Sequence, residues 1–332
     1  MKTNSFKMLL LVGLLCMAST FSAHAQTWTP KADMPTGRFF LASASVGGKI
    51  YVFGGATRQG ATLSTVEAYD PTSDTWASLA DMPRRRTNLS TAVVDDKIYV
   101  FGGTAGGGGQ GFSTAVDVYD PAGDTWTTLE AELPEPRAGM CTGAVDGKIY
   151  AFGGHSGNFI GLTSTFMYDP LSDIWSTKAE MNQGRLNYSA AVVGGRIYAI
   201  GGRGDNESSL AVVEFYDPAS DTWTPITDMP THLQMHATTV VNEKIYVIGG
   251  QTVATVWVYD PASDTWTTQA DLSMPRRLLT AKAIDGRIYA IGGASGASDN
   301  IGLATVEVFD TGLGATSIDA LGWGGIKALV AR

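Results

Sequence analysis

The amino-acid sequence predicts an all-β fold, a six-bladed β-propeller, because three features recur along the chain. An apolar strand ends in a glycine pair six times, at Gly54-Gly55, Gly102-Gly103, Gly153-Gly154, Gly201-Gly202, Gly249-Gly250 and Gly292-Gly293. An aromatic-Asp pair follows each time, at Tyr69-Asp70, Tyr119-Asp120, Tyr168-Asp169, Tyr216-Asp217, Tyr259-Asp260 and Phe309-Asp310. In five repeats a tryptophan comes seven residues after that aromatic residue, at Trp76, Trp126, Trp175, Trp223 and Trp266.

Each element of the repeat has a local physical reason. The strand before the glycine pair reads Lys or Arg, Ile, Tyr and two apolar residues, as in residues 49–53. Pairs such as Gly47-Gly48 and Asp146-Gly147 favour two-residue hairpin turns before that strand. Asp70-Pro71 opens a segment with turn chemistry after the aromatic residue. Tyrosine and tryptophan supply large apolar area, which we expect to pack between neighbouring blades.

These spacings of glycine pair, tyrosine and tryptophan resemble the kelch motif, over residues 28–310. The resemblance implies four antiparallel strands per repeat, with the repeats arranged radially around a channel. The chain is also similar, in blade number and export signal, to bacterial sialic acid mutarotases of kelch type.

The sixth repeat lacks its tryptophan, and Trp28 near the amino terminus is a spare one. Trp28 lies 26 residues before Gly54, the spacing that separates Trp76 from Gly102 and Trp266 from Gly292. We therefore expect residues 27–31 to form the outer strand of the last blade, which closes the ring and covers its edge strands.

The two ends of the chain differ from the repeats. Lys2 and Lys7, an apolar run and Ala23-His24-Ala25 predict a signal peptide over residues 1–25, followed by the propeller at 26–310 and a tail at 311–332. We expect a secreted or periplasmic monomer, with attachment at the cell surface as an alternative. After cleavage only Cys141 remains, so no intrachain disulfide can form, and we expect this thiol to be buried and unreactive.

The charge distribution indicates which partners the protein can bind. The cleaved chain would carry 21 basic and 32 acidic residues, which argues against bulk binding of nucleic acid. The variable loops all emerge at one end of the propeller, where ten arginines and four acids give a net charge of +6. Such an end can attract an anionic partner. The acids are Glu135, Asp205, Glu207 and Asp299.

Five arginines share one repeat position, 16 residues before the glycine pair, at Arg38, Arg86, Arg137, Arg185 and Arg276, with Leu233 in the remaining repeat. Because this position starts the innermost strand, we expect the side chains around the channel mouth. Arginine binds carboxylate or phosphate with two hydrogen bonds. The candidate ligand-binding residues are these five arginines together with Asn88, Asn187 and Arg203.

A structural interpretation competes with this one. Glu67, Asp117, Glu214 and Glu307 precede the Asp of the aromatic-Asp pair by three residues, so arginine and acid could pair within each blade. Arg137 has Phe166 at that position and is therefore expected to be free for a ligand.

Three functions remain open from the sequence. The first is a binding module for an acidic glycan, a sugar acid or an acidic protein segment. The second is an isomerase of sialic acid mutarotase or epimerase type, with Glu207, His155 or His236 as general acid or base. The third is a structural surface protein without a small ligand. No spacing of residues predicts a metal site or a cofactor.

Overall fold

The computed structural model describes residues 27–106, 110–157, 159–205, 208–251, 253–296 and 301–313. The predicted signal peptide, its expected cleavage point before Gln26, and nearly all of the predicted tail lie outside these residues. Within them the chain forms six sheets of four antiparallel strands, as predicted. No helix in these ranges is long and apolar enough to cross a membrane.

We label the strands of a blade a to d, and number the blades 1 to 6 along the chain. The a strands are Ala42–Val46, Ser90–Val94, Cys141–Val145, Ser189–Val193, Ala237–Val241 and Thr280–Ile284. The b strands are Lys49–Phe53, Lys97–Phe101, Lys148–Phe152, Arg196–Ile200, Lys244–Ile248 and Arg287–Ile291. The c strands are Val66–Asp70, Val116–Asp120, Thr165–Asp169, Val213–Asp217, Val256–Asp260 and Val306–Asp310. The d strands are Thr75–Leu79, Thr125–Thr128, Ile174–Lys178, Thr222–Pro225, Thr265–Gln269 and Trp28–Lys31.

The a strands enclose the central channel. Each a strand lies beside the a strands of the two neighbouring blades, and the sixth lies beside the first. Two small hairpins, Thr104–Gly106 with Gln110–Phe112 and Ala294–Ser295 with Ile301–Gly302, extend the b–c loops of blades 2 and 6. The described parts of the b–c and d–a loops surround one end of the channel, which we call the channel mouth.

The turns form where the sequence permits left-handed backbone. The a–b turn of blade 1 is Gly47-Gly48, with φ of 57° and 72°, and blade 5 reaches a similar conformation with Asn242 and Glu243 at 48° and 59°. Gly55 has φ of 95°, and a Cβ there would lie 2.8 Å from the Phe39 carbonyl oxygen. This close approach lets Phe39 and Ala56 pair across the mouth end of the blade.

Aromatic residues connect each blade to the blade before it. The Tyr69 hydroxyl donates to Asp74 at 2.6 Å, and Asp74 accepts the Ala32 backbone N–H at 3.0 Å. The indole N–H of each d-strand tryptophan donates to a backbone carbonyl of the preceding blade; the pairs are Trp28–Ala270, Trp76–Ala32, Trp126–Ala80, Trp175–Ala131, Trp223–Ala179 and Trp266–Thr227. Apolar clusters fill the spaces between blades, so the core consists of repeated interblade layers.

Ring closure by the amino-terminal strand is confirmed. Trp28–Lys31 pairs antiparallel with Phe309–Val306 and completes the sheet of blade 6. Trp28 packs on Phe309 with ring centroids 5.4 Å apart, in the position that d-strand tryptophans occupy in the other blades.

Candidate binding site at the channel mouth

The five arginines of the repeat position lie inside the blades. Their side chains are fully buried. Each guanidinium reaches across its own blade to the start of strand c. Nη1 of Arg38, for example, donates to the Gly54 carbonyl at 3.0 Å and to the Thr65 carbonyl at 3.2 Å. The expected position around the channel mouth is therefore wrong, because the side chains turn outward to satisfy carbonyl groups of the b–c loop.

Four of these arginines pair with an acid on strand c, as the structural interpretation predicted. The pairs are Arg38–Glu67, Arg86–Asp117, Arg185–Glu214 and Arg276–Glu307. Burial lowers the pKa of Arg86 to about 10, while Asp117 opposes that shift, so the guanidinium remains charged at neutral pH. In each pair the acid compensates the buried guanidinium for the water that it loses on burial.

Arg137 is also buried, and the expectation that it is free for a ligand is wrong. Its Nη2 lies 2.9 Å from Glu135, two residues earlier in the d–a loop, and donates to the Ser164 hydroxyl at 2.9 Å. Its guanidinium stacks over the Phe166 ring, 4.8 Å from the centroid. The acid comes from the loop because strand c carries phenylalanine in this blade.

These pairs change the charge of the channel mouth. Four of the ten arginines counted at this end from the sequence are paired with strand-c acids, and Arg137 is paired with Glu135. Arginines that remain partly or fully exposed here are Arg58, Arg84, Arg85, Arg203 and Arg277. The attraction of this end for an anion is therefore weaker than the sequence suggests.

A closed ring of backbone hydrogen bonds surrounds the channel just inside the mouth. Six residues, one per blade, have φ between 52° and 62°: Phe40, Asn88, Gly139, Asn187, Met235 and Leu278. The N–H of each donates to the carbonyl of its counterpart in the preceding blade, at 2.8–3.3 Å, and the Phe40 N–H closes the ring on Leu278. We call this feature the backbone ring. It occupies all six N–H groups internally.

Two of the predicted site residues belong to the backbone ring. Asn88 and Asn187 are partly exposed and line a cavity of about 100 Å³ at the ring. Neither side-chain amide has a hydrogen-bond partner among the described residues. The Asn187 Oδ1 lies 3.2 Å from the place where a Cβ on Gly139 would be, so the glycine leaves room for this amide. Both amides are available to a ligand in the mouth.

Arg203, the third candidate, lies on the rim next to Asn187. Its backbone pairs with Leu186, whose neighbour is Asn187, and its guanidinium lies 5.6 Å from the centroid of the Phe159 ring. Phe159 is 47% exposed and stacks on His155 at 4.8 Å. Burial and the charge of Arg203 lower the pKa of His155, so this imidazole is neutral at pH 7. Asn187, Arg203 and Phe159 thus combine an amide, a cation and an apolar face.

Phe159 was not among the residues predicted from the sequence. It lies in a variable loop without a repeat position, so periodicity gave no signal for it. The signal that could have found it is the run Phe159-Ile160, two large apolar residues in a loop expected to be exposed.

The remaining candidate residues lie apart from the rim. Cys141 is buried, as expected, and burial raises the pKa of its thiol to about 12. Its predicted lack of reactivity remains a prediction. His236 is buried beside the channel. Within the described ranges, no three His, Cys, Asp or Glu side chains come together as metal ligands. Glu207 lies outside the described residues.

Comparison with known proteins agrees with this architecture. The family model described as "KLHDC2/KLHL20/DRC7 Kelch-repeats domain" matches residues 13–202 and 175–293. A solved structure titled "Structure of YjhT" superimposes with a TM-score of 0.72, at 17% identity, over 83% of this chain and 95% of that one. At this identity the likeness shows the fold alone. No curated protein matches the chain. The fold supports a binding or interaction module in general terms, and the chain belongs to the kelch-repeat β-propeller family.

Proposed function

We propose that this propeller is a secreted binding module that takes an acidic glycan at the channel mouth. The observation that carries the proposal is the cluster of Asn187, Arg203 and Phe159, with Asn88 on the same ring. A carboxylated sugar offers hydroxyls to the amides, a carboxylate to the guanidinium and an apolar ring face to the phenylalanine. The buried arginines support this site indirectly, since they hold the loops that form the mouth.

Binding should depend on Arg203. The test titrates oligogalacturonate, with neutral galacto-oligosaccharide as the uncharged comparison, against the wild type and Arg203→Gln. Losing one guanidinium contact to a carboxylate costs about 1.5–3 kcal/mol, so we expect affinity to fall about tenfold or more. The melting temperature of both proteins is measured alongside, because the Arg203 side chain is partly buried and a loss of folding must be distinguished from a loss of binding.

Arg58→Gln is the matched control, since Arg58 is an exposed arginine on the b–c loop of blade 1 at the same end of the propeller. Its affinity should stay at the wild-type value. Equal weakening by both variants, or equal binding of the neutral and acidic sugars, would contradict the proposed site.

The neutral His155 beside Arg203 favours a second candidate, an isomerase acting on a sugar acid. A neutral imidazole next to a carboxylate-binding arginine can accept a proton during ring opening. Anomer exchange of N-acetylneuraminic acid, followed by NMR with wild type and His155→Asn, separates the two. If the wild type speeds up anomer exchange and His155→Asn does not, the isomerase is favoured. If the wild type binds the sugar without speeding up its exchange, the binding module is favoured.

A further inference from the structure

Inside the backbone ring the channel widens into a cavity that the proposed function does not use. Its volume is about 170 Å³, and a second space of about 280 Å³ continues along the a strands. Seven serine and threonine residues line the first cavity, together with apolar ones: Ser43, Ser90, Thr91, Thr142, Ser189, Thr238 and Thr280. The channel interior is therefore polar, and its small side chains leave space open within the ring of a strands.

One charged side chain enters this interior. Lys282 lies on strand a of blade 6, where the other blades carry Ala44, Ala92, Gly143, Ala191 and Thr239. It lines both spaces, and no aspartate or glutamate in the described part of the chain lines either one. Among the described residues its ammonium has neither a hydrogen bond nor an ion pair. In its protonated form Lys282 therefore has no counter-charge in the channel among the described residues.

The surrounding groups can donate hydrogen bonds but supply no negative charge. Burial lowers the pKa of Lys282, and within the described ranges this shift is opposed by the Cys141 thiol on the opposite side of the channel. That thiol has its own pKa raised to about 12, so it is neutral at pH 7. The ammonium is therefore left to water or to a ligand that enters the channel.

Several of the lining hydroxyls are hydrogen-bonded, but one of them is not. The hydroxyls of Ser90 and Thr142 bond to each other at 2.9 Å, and Thr91 donates to the Ser43 carbonyl at 2.7 Å. The Ser189 hydroxyl, in contrast, is buried without a partner among the described residues. Its neighbour in blade 5, Thr238, donates to the Ala190 carbonyl instead. Ser189 therefore has an unused donor at the wall of the cavity that Lys282 also lines, and a rotation of its side chain would turn that donor toward a ligand.

We propose that the channel binds a small monoanion, a halide or a short carboxylate, at Lys282 with Ser189 as a hydrogen-bond donor. An ammonium without a counter-charge in a confined space is costly, and an anion offsets that cost. A cavity of about 150 Å³ in another protein takes up benzene, so this one admits a small anion but not an oligosaccharide. The site is thus distinct from the rim at Arg203 and Phe159.

Bromide is the test ion, because it is monovalent and can be located by anomalous scattering. Crystals of the wild type and of Lys282→Ala are soaked in sodium bromide, and melting temperatures are measured at rising bromide concentration. Alanine is the natural residue at this position in three blades, so the variant is expected to fold at least as stably as the wild type. Lys97→Ala, at an exposed lysine paired with Asp120, controls for the general effect of salt.

We expect an anomalous peak in contact with the Lys282 ammonium in the wild type and none in Lys282→Ala. Bromide should also raise the melting temperature of the wild type and Lys97→Ala more than that of Lys282→Ala, since a ligand stabilises only the state that binds it. An empty wild-type channel, a peak that persists in Lys282→Ala, or the same bromide response in all three proteins would overturn the proposal.

Discussion

At the level of single residues, blade 5 shows that apolar residues can replace the buried arginine and acid found in other blades. Leu233 stands where those blades carry arginine, and Trp257 stands where most carry an acid. Both belong to one apolar cluster between blades, so this position accepts either an ion pair or an apolar pair. Replacing both partners of a buried pair is often neutral, whereas removing one leaves a charge without compensation.

The contribution of the blade 2 ion pair to stability can be measured by replacing it with the apolar pair of blade 5. Arg86→Leu should lower the free energy of unfolding by about 3–5 kcal/mol, because it leaves Asp117 buried with only Thr128 and the more distant Arg84. The double variant Arg86→Leu with Asp117→Trp, which copies blade 5, should recover most of that loss. Urea denaturation measures both.

Arg137→Leu is the matched control for that experiment. It removes the equivalent guanidinium, yet its acid partner Glu135 has a side chain that is 51% exposed and stays hydrated. It should therefore cost less than Arg86→Leu. The explanation fails if the two single variants lose equal stability, or if the double variant is no more stable than Arg86→Leu.

His236 should make stability depend on pH. It lies where other blades carry Leu41, Leu89 or Leu279, and burial lowers its pKa to about 4. Between that value and the ordinary pKa near 6.5, the unfolded chain binds a proton that the folded chain does not. The free energy of unfolding therefore falls as the pH drops through this window, by on the order of 3 kcal/mol from this residue.

His236→Leu should remove that part of the acid sensitivity. Urea unfolding at pH 7 and at pH 4 gives the loss for each protein, and the difference between the two losses isolates His236 from carboxylates that titrate in the same range. If wild type and variant lose the same stability between these pH values, the imidazole is not protected from protonation as the structure indicates.

At the level of secondary-structure elements, the amino-terminal strand has two roles. It covers strand c of blade 6, and Ala32 just beyond it accepts the Trp76 indole N–H and donates to Asp74 of blade 1. The same short segment therefore completes one blade and connects to the next.

Deleting residues 26–32 should cause a large fall in melting temperature. The truncated protein loses the buried Trp28, a type of loss that costs about 3–5 kcal/mol on its own, and exposes an edge strand. A protein lacking only residues 1–25 is the control and should melt like the full chain. Closure by this strand is disproved if both truncated proteins melt at the same temperature.

Spacing along the sequence was enough to predict this strand, because every blade repeats it. Spacing was not enough to predict how the side chains of the candidate site are arranged. Periodicity identifies the arginines as equivalent, but it does not tell whether a guanidinium at the start of strand a points into the channel or along the blade. That direction depends on the b–c carbonyls and on acids such as Glu67, which come together only in three dimensions. Phe159 has no equivalent in other blades and could not be found by repetition.

At the level of the whole molecule, two separate sets of contacts close the ring of blades. The outer closure uses Trp28–Lys31, and the inner closure is the backbone ring, which includes no residue of that strand. Because Phe40, Met235 and Leu278 adopt a left-handed conformation that is unfavourable for their side chains, the ring persists only where all six blades hold it in place.

The backbone ring also affects the electrostatic field that a ligand at the mouth experiences. Its six N–H···O=C dipoles follow one another head to tail around a circle, so their vector sum in the plane of the ring is close to zero. A helix end, where peptide dipoles add along one axis, attracts an anion through the backbone itself. Here the backbone has no such preference, and selectivity for an anion must come from side chains such as Arg203, which substitution can change without disturbing the ring.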